Sequence, residues 1–149
     1  MTITINKLTE SDIPGMFREI RNSAGYLKEL GWVATSFYRP YQNHYRQLVK
    51  SDTLSIFVVR YKNEIAGTVE IEDRGDCYFM GYWLGIRFRG KGIITKVIKD
   101  IIQHDLQIKK PITARVELKN FKSIDVLTRL DFSETGRDAE WIYFQKYIY

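Results

Sequence analysis

The chain has 149 residues, a net charge of +5, a pI near 9.3, and 44% hydrophobic and 28% charged residues, the profile of one ordinary globular domain that buries roughly two thirds of its unfolded surface. A lone cysteine, Cys77, excludes an internal disulfide, the two histidines, His44 and His104, offer no metal-ligand spacing, and no apolar run approaches the roughly eighteen residues of a membrane span. The basic excess is scattered, with Lys109-Lys110 its longest pure run and no nucleic-acid-binding motif legible, so it suits a polyanionic small ligand better than DNA or RNA.

In chain order, Ile3, Ile5 and Leu8 begin a first strand. Thr9 or Ser11 can cap the helix that follows, with Pro14 in its first turn and Met16, Phe17 and Ile20 as its apolar face. From Asn22 to Pro40 the pattern loosens around Gly25 and Gly31 and grows rich in aromatics, among them Tyr26, Trp32, Phe37 and Tyr38. A second helix is predicted over Tyr41 to Lys50. Thr53 to Arg60 reads as a strand, Lys62-Asn63 as a hairpin turn, and Ile65 to Glu72 as the returning strand. Strict alternation there would put Ile65, Gly67, Val69 and Ile71 on one face and Ala66, Thr68, Glu70 and Glu72 on the other. Asp73 to Asp76 turns the chain into a fourth strand, Cys77 to Leu84, whose cysteine reads as a packed thiol. No secretory signal pattern is legible in the first thirty residues, and a cytoplasmic location is expected.

The chain is organised around Tyr82 to Leu106. A strand runs into a short turn holding Gly90 and Gly92, and Ile94, Val97, Ile98, Ile101 and Ile102 then repeat with the 3.6 period of a helix that buries one face. The first amides of a helix have no intrahelical partner and carry the positive end of its dipole, so phosphate oxygens bind there, and glycines let them approach closely. Arg87, Arg89 and Lys91 add charge at the same place, which makes a diphosphate-bearing small molecule the expected ligand. The nucleoside-triphosphate loop is a poor match, because Gly92 stands where the magnesium-binding hydroxyl belongs. The dinucleotide fingerprint also fails, with Thr95 in place of its third glycine.

Downstream, Pro111 marks the end of the central helix and Thr113 to Leu118 forms a fifth strand, reached by a helical crossover and so parallel to the fourth. Asn120 caps a helix bearing Ile124, Leu127 and Leu130, and Trp141 to Ile148 closes the sheet as a terminal strand.

Several of these segments together resemble the GNAT superfamily of acetyl-CoA-dependent N-acetyltransferases. Arg89-Gly90-Lys91-Gly92-Ile93-Ile94 is similar to its R/Q-x-x-G-x-G/A pyrophosphate motif, with Ile94 departing from the last position. Gly81-Tyr82-Trp83-Leu84 resembles its fourth strand, and Asn120-Phe121-Lys122-Ser123 followed by Leu130-Asp131-Phe132 resembles its N-x-x-S and L-G-F segments, with Asp131 in place of glycine. The branch most similar is the RimJ/RimL-like type that acetylates N-terminal amines of ribosomal proteins, to which Leu30-Gly31-Trp32 and Asn63 to Gly67 also correspond.

The resemblance implies one N-acetyltransferase domain over residues 1–149, an α/β (α+β) GNAT fold with a mixed, mostly antiparallel sheet of six to seven strands and helices on both faces. It implies acetyl-CoA as co-substrate and no metal. Trp83, Leu84, Ile86, Arg89, Gly90, Lys91, Gly92, Ile93, Ile94, Thr95, Asn120 and Ser123 are the expected cofactor contacts. A backbone N–H near Leu84 would polarise the thioester carbonyl and Ser123 would serve the departing thiolate, since Leu127 stands where many relatives carry a tyrosine acid. Glu70 is the candidate general base, directly or through water. Trp32, Tyr38 and Glu72 are candidate acceptor contacts, although Trp32 and Tyr38 read equally well as an apolar cluster under a long loop. The expected acceptor is a protein N-terminal amine. A small amine such as a polyamine or aminoglycoside-like compound, or a non-catalytic acetyl-CoA-binding module, stand as alternatives. No membrane or direct nucleic-acid partner is expected, and either a monomer or a homodimer is compatible with the sequence.

Overall fold

The computed structural model describes residues 2–23, 25, 38–107 and 109–148. The β-branched and aromatic runs form strands and the 3.6-period segments form helices. In chain order these are β1 (Ile3–Lys7), α1 (Ile13–Asn22), α2 (Tyr38–Val49), β2 (Leu54–Tyr61), β3 (Glu64–Asp73), β4 (Tyr78–Leu84), α3 (Ile93–His104), β5 (Ile112–Glu117), α4 (Phe121–Arg129), β6 (Ser133–Arg137) and β7 (Trp141–Lys146). Short 3-10 turns at Glu10–Asp12 and Ile86–Phe88 lead into α1 and toward α3.

Among the described residues the strands make one seven-stranded sheet in the order β1-β2-β3-β4-β5-β7-β6. The first four form an antiparallel meander, and Lys62 and Asn63, with φ of 51° and 67°, make the tight turn expected between β2 and β3. β4 and β5 are parallel, but their ladder holds only Tyr78↔Ile112 and Phe79↔Thr113. Past Phe79 the two strands part, and that gap positions the site.

Two expectations change. Trp141–Lys146 does not close the sheet at its edge; it pairs with β5 on one side and β6 on the other. The edge strand β6, Ser-Glu-Thr-Gly-Arg, escapes a hydrophobic-pattern reading because four of its five residues are exposed. The alternation in β3 is also broken. Val59 pairs with Gly67 but Arg60 pairs with Ile65, so Ala66 is an extra residue in the ladder. Ile65 then packs toward α1, whereas Ala66, Val69 and Ile71 join the opposite face.

The sheet separates two cores. On one face Ile13, Met16 and Ile20 of α1 and Tyr41 of α2 pack on Ile56, Val58 and Trp83. On the other, α3 and α4 cover Val59, Val69, Met80, Leu84 and Ala114. Ile93, Val97, Ile98 and Ile101 of α3 are at most 1% exposed, and each such burial contributes about 1.5–3 kcal/mol. Asp12 joins β1, α1 and β2, accepting hydrogen bonds from the Thr9 amide and hydroxyl, Asn6 and Arg60. Burial opposes its charge, but these bonds outweigh burial and hold its carboxyl below the usual range.

Candidate active site

The site begins in the turn between β4 and α3. Gly90 and Gly92 have φ of 76° and 75°, a left-handed conformation that side chains rarely adopt, and Gly92 is the N-cap of α3. The first helical hydrogen bond runs from the Lys96 amide to the Gly92 carbonyl at 3.2 Å, so the amides of Ile93, Ile94 and Thr95 end the helix unpaired. They border a cleft of about 390 Å³ lined by Tyr82, Trp83, Leu84, Arg89, Gly90, Gly92, Ile93, Ile94, Thr95, Asn120, Lys122, Ser123, Asp125, Val126 and Arg129. A pocket of amides at a helix N-terminus, flanked by Arg89, Lys122 and Arg129, fits a diphosphate.

The other wall is the parted edge of β4. The Tyr78 amide donates toward β5, to the Pro111 carbonyl at 2.8 Å, and the Gly85 amide donates toward β3, to the Ala66 carbonyl at 2.7 Å. Strand amides alternate edges, so those of Tyr82 and Leu84 fall on the β5 side, beyond the last paired residue. Leu84 therefore presents an N–H at the gap with no strand beside it. Across the gap Asn120 caps α4, its Oδ1 accepting from the Ser123 amide at 3.2 Å. This brings the half-buried Ser123 to the cleft. The Tyr82 hydroxyl donates to the Ser123 carbonyl at 3.4 Å, and burial pushes its pKa up to about 12, so it remains a neutral donor.

Residues 2–133 match the acetyltransferase (GNAT) domain family. The chain belongs to this family. The enzyme is an acetyltransferase of the GNAT type. No curated protein matches it. Among solved structures, its fold is similar to an acetyl transferase from Salmonella typhimurium described as modifying the N-terminal serine of a 50S ribosomal subunit protein, at 18% identity, TM-score 0.86, covering 100% of this chain and 96% of that one. It is also similar to a microcin self-immunity acetyltransferase solved with acetyl-CoA and AMP, at 24% identity, TM-score 0.85, covering 98% and 92%. A ribosomal-protein alanine acetyltransferase from Vibrio fischeri shares 21% identity, with TM-score 0.81 and coverage of 99% and 93%. At these identities the likeness is one of fold.

Within the acetyltransferase the expected site residues divide. Trp83, Leu84, Arg89, Gly90, Gly92, Ile93, Ile94, Thr95, Asn120 and Ser123 all line the cleft. Lys91 is exposed in the turn and Ile86 faces solvent at 49% exposure, its amide donating instead to Ser23 Oγ at 3.0 Å. Neither lies among the cleft residues. The pyrophosphate motif also shifts by two. Arg87-Phe88-Arg89-Gly90-Lys91-Gly92 fits R/Q-x-x-G-x-G/A without departure and puts both glycines at the left-handed positions, while Ile94 is a buried residue of the first helical turn. Arg87 itself anchors the turn to α1 and β3, reaching Glu19 at 3.1 Å and Glu64 at 3.0 Å.

On the α1/α2 side, Glu70 is half-buried, and desolvation raises its pKa above the usual carboxylate value. Glu72, expected as an acceptor contact, is instead ion-paired with Arg74 at 2.6 Å toward the far end of β3, away from the cleft. Tyr38 packs against Phe17 with ring centroids 5.2 Å apart and planes tilted by 58°. Trp32 lies outside the described residues. Sequence reasoning passed over Tyr82 and the polar face of α4, Lys122, Asp125 and Arg129, whose i, i+3, i+7 spacing is their only signal. It also passed over Tyr41 and Tyr45, whose rings lie 4.6 Å apart on the α1/α2 face of the sheet. Among the described residues no acidic, histidine or cysteine group has a metal-holding arrangement, and no helix is long and apolar enough to cross a membrane.

Proposed function

We propose that the enzyme transfers acetyl to the N-terminal α-amine of a protein, in the manner of the RimJ/RimL-like branch, in the cytoplasm. The observation that carries the reading is the parted β4 edge, with Ser123 on one face of the strand and Glu70 on the other, directly opposite Gly81. Two of the fold neighbours described above act on ribosomal proteins, which supports the choice of acceptor.

In this reading the cofactor diphosphate rests on the α3 amides and the thioester carbonyl accepts from the Leu84 N–H. That single aligned donor contributes a few kcal/mol as charge develops on the oxygen. The neutral amine nitrogen attacks the carbonyl carbon, the new C–N bond forms, and the C–S bond breaks. The amine's proton passes to Glu70, directly or through one water, and the thiolate takes a proton by way of Ser123. An α-amine has a pKa near 8, so about a tenth is already neutral at pH 7 and the demand on the base is modest.

Thiol release from acetyl-CoA tests this directly. The panel holds peptides beginning with serine or alanine, the same peptides with formylated N-termini, spermidine and an aminoglycoside. Turnover on free peptides and none on the formylated ones is the expected result. Turnover on spermidine or the aminoglycoside alone would replace the protein acceptor by a small amine, and binding of acetyl-CoA without turnover on any amine would leave a non-catalytic module.

A further inference from the structure

Between Phe88, 4% exposed, and Ile93, 1% exposed, the chain crosses Gly90, Lys91 and Gly92, all exposed and with both glycines at positive φ. Glycines leave such a segment many conformations, so its place is decided by what fixes the chain on either side. Downstream that is the burial of α3 in its core. Upstream it is the last turn of α1, a helix on the other face of the sheet.

Glu19 of α1 is 3% exposed, and one guanidinium engages both of its carboxylate oxygens. Arg87 Nε donates to Oε1 at 3.3 Å and Nη2 donates to Oε2 at 3.1 Å, the two-pronged geometry in which arginine grips a carboxylate most firmly. One turn further on, Ser23 is 1% exposed and its hydroxyl accepts from the Ile86 amide at 3.0 Å. Gly85 lies so close to the helix that a Cβ there would stand 2.3 Å from Glu19 Oε1, and its amide donates to the Ala66 carbonyl at 2.7 Å. Gly85, Ile86 and Arg87 are thus each seated against a buried polar side chain of α1. Neither Glu19 nor Ser23 lines the cleft, so acetyl transfer as described above makes no use of them. A buried carboxylate is costly unless it is paired and hydrogen-bonded, and here the partner is the residue that leads into the glycine turn.

We infer that Glu19 and Ser23 are positioning residues for the cofactor: they hold Gly85, Ile86 and Arg87 against α1 and so set where the glycine turn presents the α3 amides to the diphosphate. The inference rests on the cofactor placement proposed above and extends it to α1. Burial keeps water from competing for the Glu19 carboxylate, which strengthens its hold on Arg87. The remaining arm of Arg87 reaches Glu64 at 3.0 Å, but with side chains 52% and 58% exposed that pair contributes little.

The test is Glu19→Gln, Ser23→Ala and Arg87→Gln, with Glu64→Gln as the exposed contrast and Glu19→Gln combined with Arg87→Gln as the double variant. Without ligand, hydrogen exchange at the Ile86 and Phe88 amides, which donate to Ser23 and Gly85, should quicken at least about fivefold in Glu19→Gln, while β2 amides stay within about twofold. Calorimetric titration should show acetyl-CoA bound roughly tenfold more weakly. The acetyl-CoA KM should rise in step, with kcat on a serine-starting peptide within about twofold. The double variant should lose no more than the worse single one, and Glu64→Gln should change affinity by no more than about twofold. A Glu19→Gln protein that melts earlier yet keeps parental exchange at Ile86 and Phe88 overturns the positioning role, as does parental affinity despite faster exchange. Should Glu19→Gln fail to fold, Arg87→Gln, altered at the exposed end of the pair, carries the same expectations. Absence of acetyl-CoA binding by the parental protein would sink the cofactor placement instead, and the exchange rates by themselves would then decide whether α1 holds the turn.

Discussion

The two faces of β4 present sites of different construction. Toward α3 and α4 the groups offered to a ligand are mostly backbone: the amides of Ile93, Ile94 and Thr95, the N–H of Leu84, and a turn shaped by Gly90 and Gly92. Toward α1 and α2 they are side chains of residues far apart in sequence, Tyr41, Tyr45, Thr68, Glu70 and Trp83. A backbone site depends on chain direction and tolerates changes of side chain. A side-chain site depends on how one helix docks on a sheet and can change its ligand without changing the fold.

The sharpest way to break the comparison is to put a charge on the backbone side. A Cβ placed on Gly92 would meet nothing within 4 Å, and aspartate tolerates positive φ, so Gly92→Asp should keep the fold. The carboxylate would face the diphosphate, and calorimetric titration should record a loss of at least about 100-fold in acetyl-CoA affinity, roughly 2.7 kcal/mol. Unchanged affinity would remove the diphosphate from this turn.

On the side-chain face, Glu70→Gln should lower kcat/KM at neutral pH by roughly 100-fold, with acetyl-CoA binding intact. It also makes a prediction for stability. Because desolvation raises the folded-state pKa of Glu70 above 4.5, the folded protein holds this proton more tightly than the unfolded chain does. Stability is thus lost as pH rises from about 4.5 through the raised value, and the loss persists above it. Glu70→Gln should unfold at a higher temperature than the parent at pH 8, and the advantage should shrink toward pH 4 in paired thermal melts. A wild-type advantage at pH 8 would mean that the carboxylate is stabilised by partners instead of strained by burial.

Ser123→Ala probes the boundary between the faces. Rapid kinetics should show kcat down about tenfold, or 1.4 kcal/mol, with acetyl-CoA affinity within about twofold. Turnover at the parental rate would take Ser123 out of the mechanism. The smallest effect is expected for Asn120→Ala, which removes the cap of α4. It should cost about 1 kcal/mol and lower the melting temperature by roughly 3 °C, with a weaker acetyl-CoA KM because α4 forms one wall of the cleft.

The glycine turn and its helix were legible because their parts are local. Gly90, Gly92 and the isoleucine period of α3 are contiguous, and Asn120 and Ser123 sit one helical turn apart. The misread pyrophosphate register, by two residues, came from not knowing where α3 starts; that boundary is set by the left-handed Gly92 and not by the composition around it. Ile86 illustrates a second limit. Its place near the motif suggested a cofactor contact, but its amide is taken by Ser23 from the end of α1, more than sixty residues earlier.

Elsewhere the sequence lacked the deciding term. The pairing of β7 between β5 and β6 involves strands whose outer face is polar, so hydrophobic periodicity could not reveal the edge. The bulge at Ala66 is invisible to a period-two reading, because either face of β3 is covered by helices and both accept apolar residues.

By itself, then, the sequence determined the succession of strands and helices, the family and the glycine turn that opens α3, since each follows from local conformational preference or from a contiguous pattern of glycines and apolar residues. Only the tertiary structure decided that β4 and β5 part after Phe79, that Glu72 is ion-paired with Arg74, and that Tyr41 and Tyr45 of α2 pack on the face of the sheet that carries Glu70. Those outcomes depend on strand register and helix docking, which are fixed by the summed packing of two separate cores and not by any short stretch of chain.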